Sequence, residues 1–201
     1  MLYYENKFLR QGFETIIGVD EAGRGPLAGP VVAAAVNLKK KQFQARIDDS
    51  KKLTPCQREK AYPEIINNSN FGLGIVSESV IDRINILNAT RLAMQQALQD
   101  LFSKLEAGVN KDKIQIIVDG NMRLDTKFPC MDIVRGDGKS LSIAAASILA
   151  KVTRDRLMLE YDKVYPEYGF LRHKGYGTAE HIRAIRKLGL SKIHRRTFCC
   201  D

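Results

Sequence analysis

Asp20 and Glu21 stand side by side and are followed by the turn Gly23-Arg24-Gly25-Pro26. Two further carboxylates occupy comparable positions. Asp119 closes the apolar run Lys113-Ile114-Gln115-Ile116-Ile117-Val118 and precedes Gly120, and Asp137 lies in Arg135-Gly136-Asp137-Gly138-Lys139-Ser140. Four hard oxygen donors with no histidine or cysteine pattern beside them suit Mg²⁺ or Mn²⁺. Two such ions can activate a water and stabilise the leaving oxygen in phosphodiester hydrolysis. Each acid also has a plainer use. Asp119-Gly120 would serve as a turn, and Asp137 as a helix cap. The doubled acid Asp20-Glu21 beside an arginine exceeds what turn chemistry needs.

A second constellation is basic and aromatic. The stretch 39–60 is rich in lysine and arginine. Within it, Asp49-Ser50-Lys51-Lys52-Leu53-Thr54 precedes a helix start, where lysine and backbone N–H groups would hold a phosphate or simply form a solvated loop. From Leu171 onward the chain carries Arg172, Lys174, Arg183, Arg186, Lys187, Lys192, Arg195 and Arg196 against Glu180 and Asp201. Tyr176 sits between Gly175 and Gly177 in this stretch, so no neighbouring side chain shields it. It would touch a sugar or stack on a base, or belong to a turn capped by Thr178.

Other chemistries are excluded. Gly23-x-Gly25-x-x-x-Gly29 has one residue too many for a dinucleotide fingerprint. Gly138-Lys139-Ser140 imitates the end of a phosphate-binding loop, yet the earlier glycine it requires is Ile133. Cys56, Cys130, Cys199 and Cys200 show no Cys-x-x-Cys spacing, which argues against a zinc site and, as free thiols, for a reducing cytoplasm. His173, His181 and His194 have no metalloprotease spacing, and His181 is expected on the surface. Asp155 is read as a helix-surface or salt-bridged residue. The N-terminus reads as no signal peptide, and no run approaches a membrane span.

The elements that must position these residues follow from the pattern. Residues 15–38 read as two strands around the acidic turn, 71–76 as a third, 113–118 as a central strand and 131–134 as a short one. Helices are expected over 55–66 behind Thr54 and Pro55, over 84–105 with Asn85 or Asn88 as cap and Gly108 as terminator, over 140–161, and over 178–188. The order argues for an α/β fold, a mixed sheet flanked by helices with a small C-terminal helical part. If the first and fourth strands are neighbours, the acids meet at one sheet edge. The 201 residues allow one sizeable domain (1–201), of which 165–201 forms a basic helical segment that would contribute to substrate binding. A formal charge of +9 fits a nucleic-acid partner, or solubility alone.

Taken together, Asp20-Glu21-Ala22-Gly23-Arg24-Gly25, Asp49-Ser50-Lys51-Lys52-Leu53, Val118-Asp119-Gly120, Gly136-Asp137 with the alanine-rich 142–151, and His173-Lys174-Gly175-Tyr176 resemble ribonuclease HII, the type 2 ribonuclease H family. The set spans nearly the whole chain and is specific as a set. The resemblance implies a ribonuclease H-like fold. It also implies Mn²⁺- or Mg²⁺-dependent hydrolysis of RNA in an RNA–DNA hybrid, with two ions per site. Cutting 5′ to ribonucleotides embedded in duplex DNA, to 5′-phosphate and 3′-hydroxyl ends, is part of the same expectation.

By position, Asp20, Glu21, Asp119 and Asp137 match the family's acidic quartet. Gly23, Arg24 and Gly25 match the turn that reads the ribonucleotide, Tyr176 the tyrosine that senses the 2′-hydroxyl, and Lys51 a residue near the scissile phosphate. Only nineteen residues precede Asp20, so the N-terminal substrate domain of the sister type, ribonuclease HIII, is not expected. The chain is expected to be monomeric, with no membrane partner. Two rivals stay open: a binding protein that has lost its chemistry, and a nuclease of the junction-resolvase or transposase kind.

Overall fold

The computed structural model describes residues 1–105 and 108–199. Apolar, partly β-branched runs form five strands, β1 (Thr15–Ala22), β2 (Val31–Leu38), β3 (Ser69–Val76), β4 (Ile114–Asp119) and β5 (Cys130–Ile133). They make one sheet in the order β3-β2-β1-β4-β5. β1 is antiparallel to β2 and parallel to β4, and β4 is parallel to β5. The sheet is therefore mixed, and the first and fourth strands are neighbours as expected.

The helices of the described residues are α1 (Tyr3–Arg10), α2 (Pro55–Asn67), α3 (Glu78–Lys104), α4 (Leu141–Val164), α5 (Phe170–His173) and α6 (Ala179–Leu188), of which α3 and α4 make the main packing against the sheet. Thr54 accepts from Gln57 N–H while Gln57 answers the Thr54 N–H, a complete capping box with Pro55 behind it. Thr178 caps α6 through His181 N–H. The expected helix at 84–105 begins earlier, at Glu78, and is broken at Asn85, whose φ of 66° is left-handed. The Asn85 side chain accepts from Asn88 N–H, so it caps the longer second segment. The short helix α1 carried no clear start signal in the sequence. Gly108 lies beyond the last helical residue, Lys104.

Alternation along β1 divides the core. Ile17 and Val19 face α3 with Ala93, Met94, Ala97 and Leu101. The other face meets α4 through Ala144, Ala145, Ala146, Ile148 and Leu149. Gly18 allows that approach. A Cβ there would lie 2.3 Å from the Ser142 carbonyl carbon and 2.4 Å from the Ile143 nitrogen. Even Ala would push the start of α4 away from the sheet. No helix of the described residues is long and apolar enough to cross a membrane. Cys56 and Cys130 are free thiols, and Cys200 lies outside the described residues.

Candidate active site

Period-two alternation assigns the acids their directions. Asp20 shares the α4 face of β1 with Gly18, whereas Glu21 turns to the opposite face. Val19 pairs with Val118 in the parallel register, so Asp20 and Asp119 come next in line on adjacent strands. Asp119 then reaches the loop before α4. Its Oδ1 accepts from Gly136 N–H at 2.6 Å and from Asp137 N–H at 3.3 Å. Asp137 sits on a 3₁₀ turn, Gly136–Gly138, that leads to Ser140, the N-cap of α4. The short distance between α4 and Gly18 thus lowers Asp137 towards Asp20.

The outcome is a triad. Asp20, Asp119 and Asp137 each present a carboxylate oxygen, all within 4.8 Å of one another. Burial raises the Asp20 pKa well above the usual carboxylate range, and the charges of Glu21, Asp119 and Asp137 raise it further. Burial also raises Asp137, reinforced by Asp119 and Asp49. Glu21 is raised chiefly by burial, with Arg24 at 3.3 Å opposing. Lys51 Nζ lies 3.8 Å from Asp137. Burial disfavours its charge, but Asp20, Asp137, Asp49 and Asp119 outweigh that and hold the ammonium above its ordinary value. Converging hard oxygen donors whose ionised forms repel one another fit divalent cations, which would relieve that repulsion.

Asp20, Glu21, Gly23, Arg24, Gly25, Lys51 and Tyr176 line one cavity of about 530 Å³. Tyr176 is 42% exposed there, as expected for a tyrosine between glycines. Lys51 is held by the Asp49 turn, where the Asp49 side chain accepts from Lys51 N–H. All the sequence-derived candidates therefore converge, except that Glu21 lies outside the triad of mutually close oxygens. Asp155 is salt-bridged to Lys151 and Arg58, as read.

Several participants were not visible in the sequence. Lys151, from α4, lies 5.7 Å from the Tyr176 ring centroid and lines the cavity with Ser50, Ile86 and Phe198. One expectation is corrected: His181 is not a surface residue but fully buried. It stacks on His173 with ring centroids 4.4 Å apart, and its Nε2 lies 3.0 Å from His194 Nε2. The helical period of α6 did not reveal the apolar partner, Phe170, that covers it. Arg195, counted in the basic C-terminal stretch, is fully buried too.

Residues 17–200 match the family model described as Ribonuclease HII. A relative of that name from Acetivibrio thermocellus is 53% identical over 201 residues, taking in 98% of this chain and 75% of the relative. Another, from Caldanaerobacter subterraneus subsp. tengcongensis, is 51% identical over 200 residues, 98% of this chain and 79% of the relative. Among solved structures, the ribonuclease H2 from Pyrococcus horikoshii OT3 superposes with a TM-score of 0.72 at 27% identity, covering 92% of this chain and 93% of that one.

Proposed function

The chain belongs to the ribonuclease HII family, metal-dependent endoribonucleases acting on the RNA strand of RNA–DNA hybrids, and on that footing we propose that it also cuts 5′ to ribonucleotides embedded in duplex DNA, leaving 5′-phosphate and 3′-hydroxyl ends. Its mixed sheet is the ribonuclease H-like fold. The observation that carries the proposal is the convergence of three carboxylates from distant segments beside a pocket lined by Gly23-Arg24-Gly25 and Tyr176.

In this reading Asp20, Glu21, Asp119 and Asp137 would hold two Mn²⁺ or Mg²⁺ ions, with Asp20 shared. Asp137 would serve the side of the attacking water, and Glu21 and Asp119 the side of the leaving 3′ oxygen. Bound there, the ions would supply a nucleophilic water at neutral pH and charge stabilisation for the departing oxygen. Lys51 approaches the scissile phosphate. The backbone of Gly23 and Gly25, with Arg24, contacts the 2′-hydroxyl side, and Tyr176 checks the sugar. The 2′-hydroxyl is the group that separates RNA from DNA at a single nucleotide. The whole of 1–201 acts as one catalytic domain, to which the basic segment 165–201 adds substrate contacts. The enzyme works as a monomer in the cytoplasm.

The test is cleavage of a duplex bearing one ribonucleotide, with Mg²⁺, with Mn²⁺ or with chelator. Asp119→Asn keeps an oxygen to accept the Gly136 N–H, so it should retain the fold and lose cleavage by at least about a thousandfold. Wild-type turnover in that variant refutes the metal reading. Equal cutting of an all-DNA duplex refutes the sugar-sensing reading.

A further inference from the structure

Among the described residues, Arg154 and Arg195 are the largest fully buried side chains. Among the described residues, neither takes part in an ion pair. Their donors go to main-chain carbonyls instead. Arg154 donates to Pro30 O at 2.9 Å, Ala28 O at 3.0 Å and Lys174 O at 3.0 Å. Arg195 donates to Gly29 O at 2.9 Å and 2.8 Å, Arg24 O at 2.9 Å and Gly23 O at 2.6 Å. A buried cation is costly, and stability alone would be served as well by apolar packing. Burial and the neighbouring Arg154 push the Arg195 guanidinium down to about 9, so it still carries its charge near neutrality.

What the guanidinium touches is specific. The carbonyl of Gly23 belongs to the same peptide unit as the N–H of Arg24, and the carbonyl of Arg24 to that of Gly25. No peptide bond in the described chain is cis. In a trans peptide the C=O and N–H point in opposite directions. Drawing both carbonyls inward onto Arg195 therefore turns the N–H groups of Arg24 and Gly25 outward, to the side where these residues line the acidic cavity. A cation on the carbonyl side also polarises each peptide unit and strengthens its N–H as a donor. Gly23 is fitted to this arrangement. Its φ is +98°, and a Cβ there would lie 2.1 Å from Arg154 Nε.

We propose that Arg195 is a positioning residue for substrate selectivity: by holding the Gly23 and Arg24 carbonyls it presents the Arg24 and Gly25 N–H groups as a paired donor for the 2′ oxygen of the ribonucleotide. The inference rests on the functional reading above and adds the device that makes the turn rigid. Lysine keeps the charge of Arg195, but its compact ammonium lacks the planar fork that spans Gly23, Arg24 and Gly29.

The experiment compares wild type, Arg195→Lys and Arg195→Gln in binding two duplexes in Ca²⁺, identical except that one carries a single ribonucleotide. The expected result is that the wild-type preference for the ribonucleotide falls about tenfold in both variants, the scale of one lost hydrogen bond. Affinity for the all-DNA duplex and calorimetric Mn²⁺ binding should stay unchanged, which a general loosening of the fold would not produce. A folded variant that keeps the wild-type preference overturns the proposal.

Wild-type ¹⁵N spectra supply a reading that needs no variant. The Arg24 and Gly25 amides and the Arg195 Nε should shift when the ribonucleotide duplex is added and stay still with the all-DNA duplex. Identical spectra with the two duplexes also overturn the proposal. If wild type with Mn²⁺ leaves the ribonucleotide duplex uncut, the functional reading falls. If wild type cuts it and Arg195→Lys still discriminates, the present inference falls alone.

Discussion

Asp20→Asn should make the metal-free protein more stable while it destroys cleavage. Asp20 is 5% exposed, and its ionised form is opposed by burial and by Glu21, Asp119 and Asp137. The Glu21 N–H bond to its Oδ1 at 2.7 Å survives in asparagine, which keeps that oxygen, while the attraction to Lys51 is lost. At the 4.8 Å limit on oxygen separations, one repelling pair costs about 1 kcal/mol in a water-like medium and about 3.5 kcal/mol at an effective dielectric constant of about 20. Partial protonation of the cluster without metal removes some of that. A net gain of about 1–2 kcal/mol is therefore expected, or roughly 3–6 °C in Tm for a chain of this size. The assay is a thermal melt in chelator and in Mn²⁺, for wild type and variant. Wild type should rise in Mn²⁺ by the linkage term, and the variant should rise much less. A variant that melts below wild type in chelator, or keeps the full Mn²⁺ increment, refutes the reasoning that these acids are held together against their own repulsion for a cation.

Gly18→Ala should cost about 3 kcal/mol or more by urea midpoint, because its Cβ would lie 2.3 Å from the α4 backbone. Mn²⁺ affinity should fall with it, since the turn bearing Asp137 leads directly into α4 and moves with it; a variant of wild-type stability would show that α4 has room to move. Acid should weaken the C-terminal segment. Burial, with His181 and His173 adding repulsion, pushes His194 down to about 4. The unfolded chain, titrating near 6.5, then binds more protons than the folded one, so stability is full above about 6.5 and is lost as pH falls towards about 4. The loss should reach about 2–3 kcal/mol. His194→Gln should flatten that part of the urea-midpoint profile, and an unchanged acid slope would rule His194 out as the source.

Much of this protein was legible from its residues. The β-branched and apolar runs marked the strands, Thr54-Pro55 and Thr178 marked helix starts, and acids at strand ends marked where carboxylates converge. These signals are local, fixed by backbone sterics, caps and the two-residue period, and they survive without knowledge of the neighbours. The broken helix at Asn85 was half visible, since its capping side chain could be read but not the turn of helix before it.

What the sequence determined, then, was which residues are fitted to carry chemistry and on which kind of element each sits. Only the tertiary structure decided that β1 lies beside β4, and that Gly18 admits α4 close enough to lower Asp137 onto Asp20 and Asp119. It also decided that Arg195 and His181, polar residues in a basic stretch, are buried as supports rather than spread on the surface. The physical reason is the same in each case. Burial, repulsion and hydrogen-bond partnership belong to pairs of segments far apart along the chain, and no residue carries in its own type the identity of the segment that will cover it.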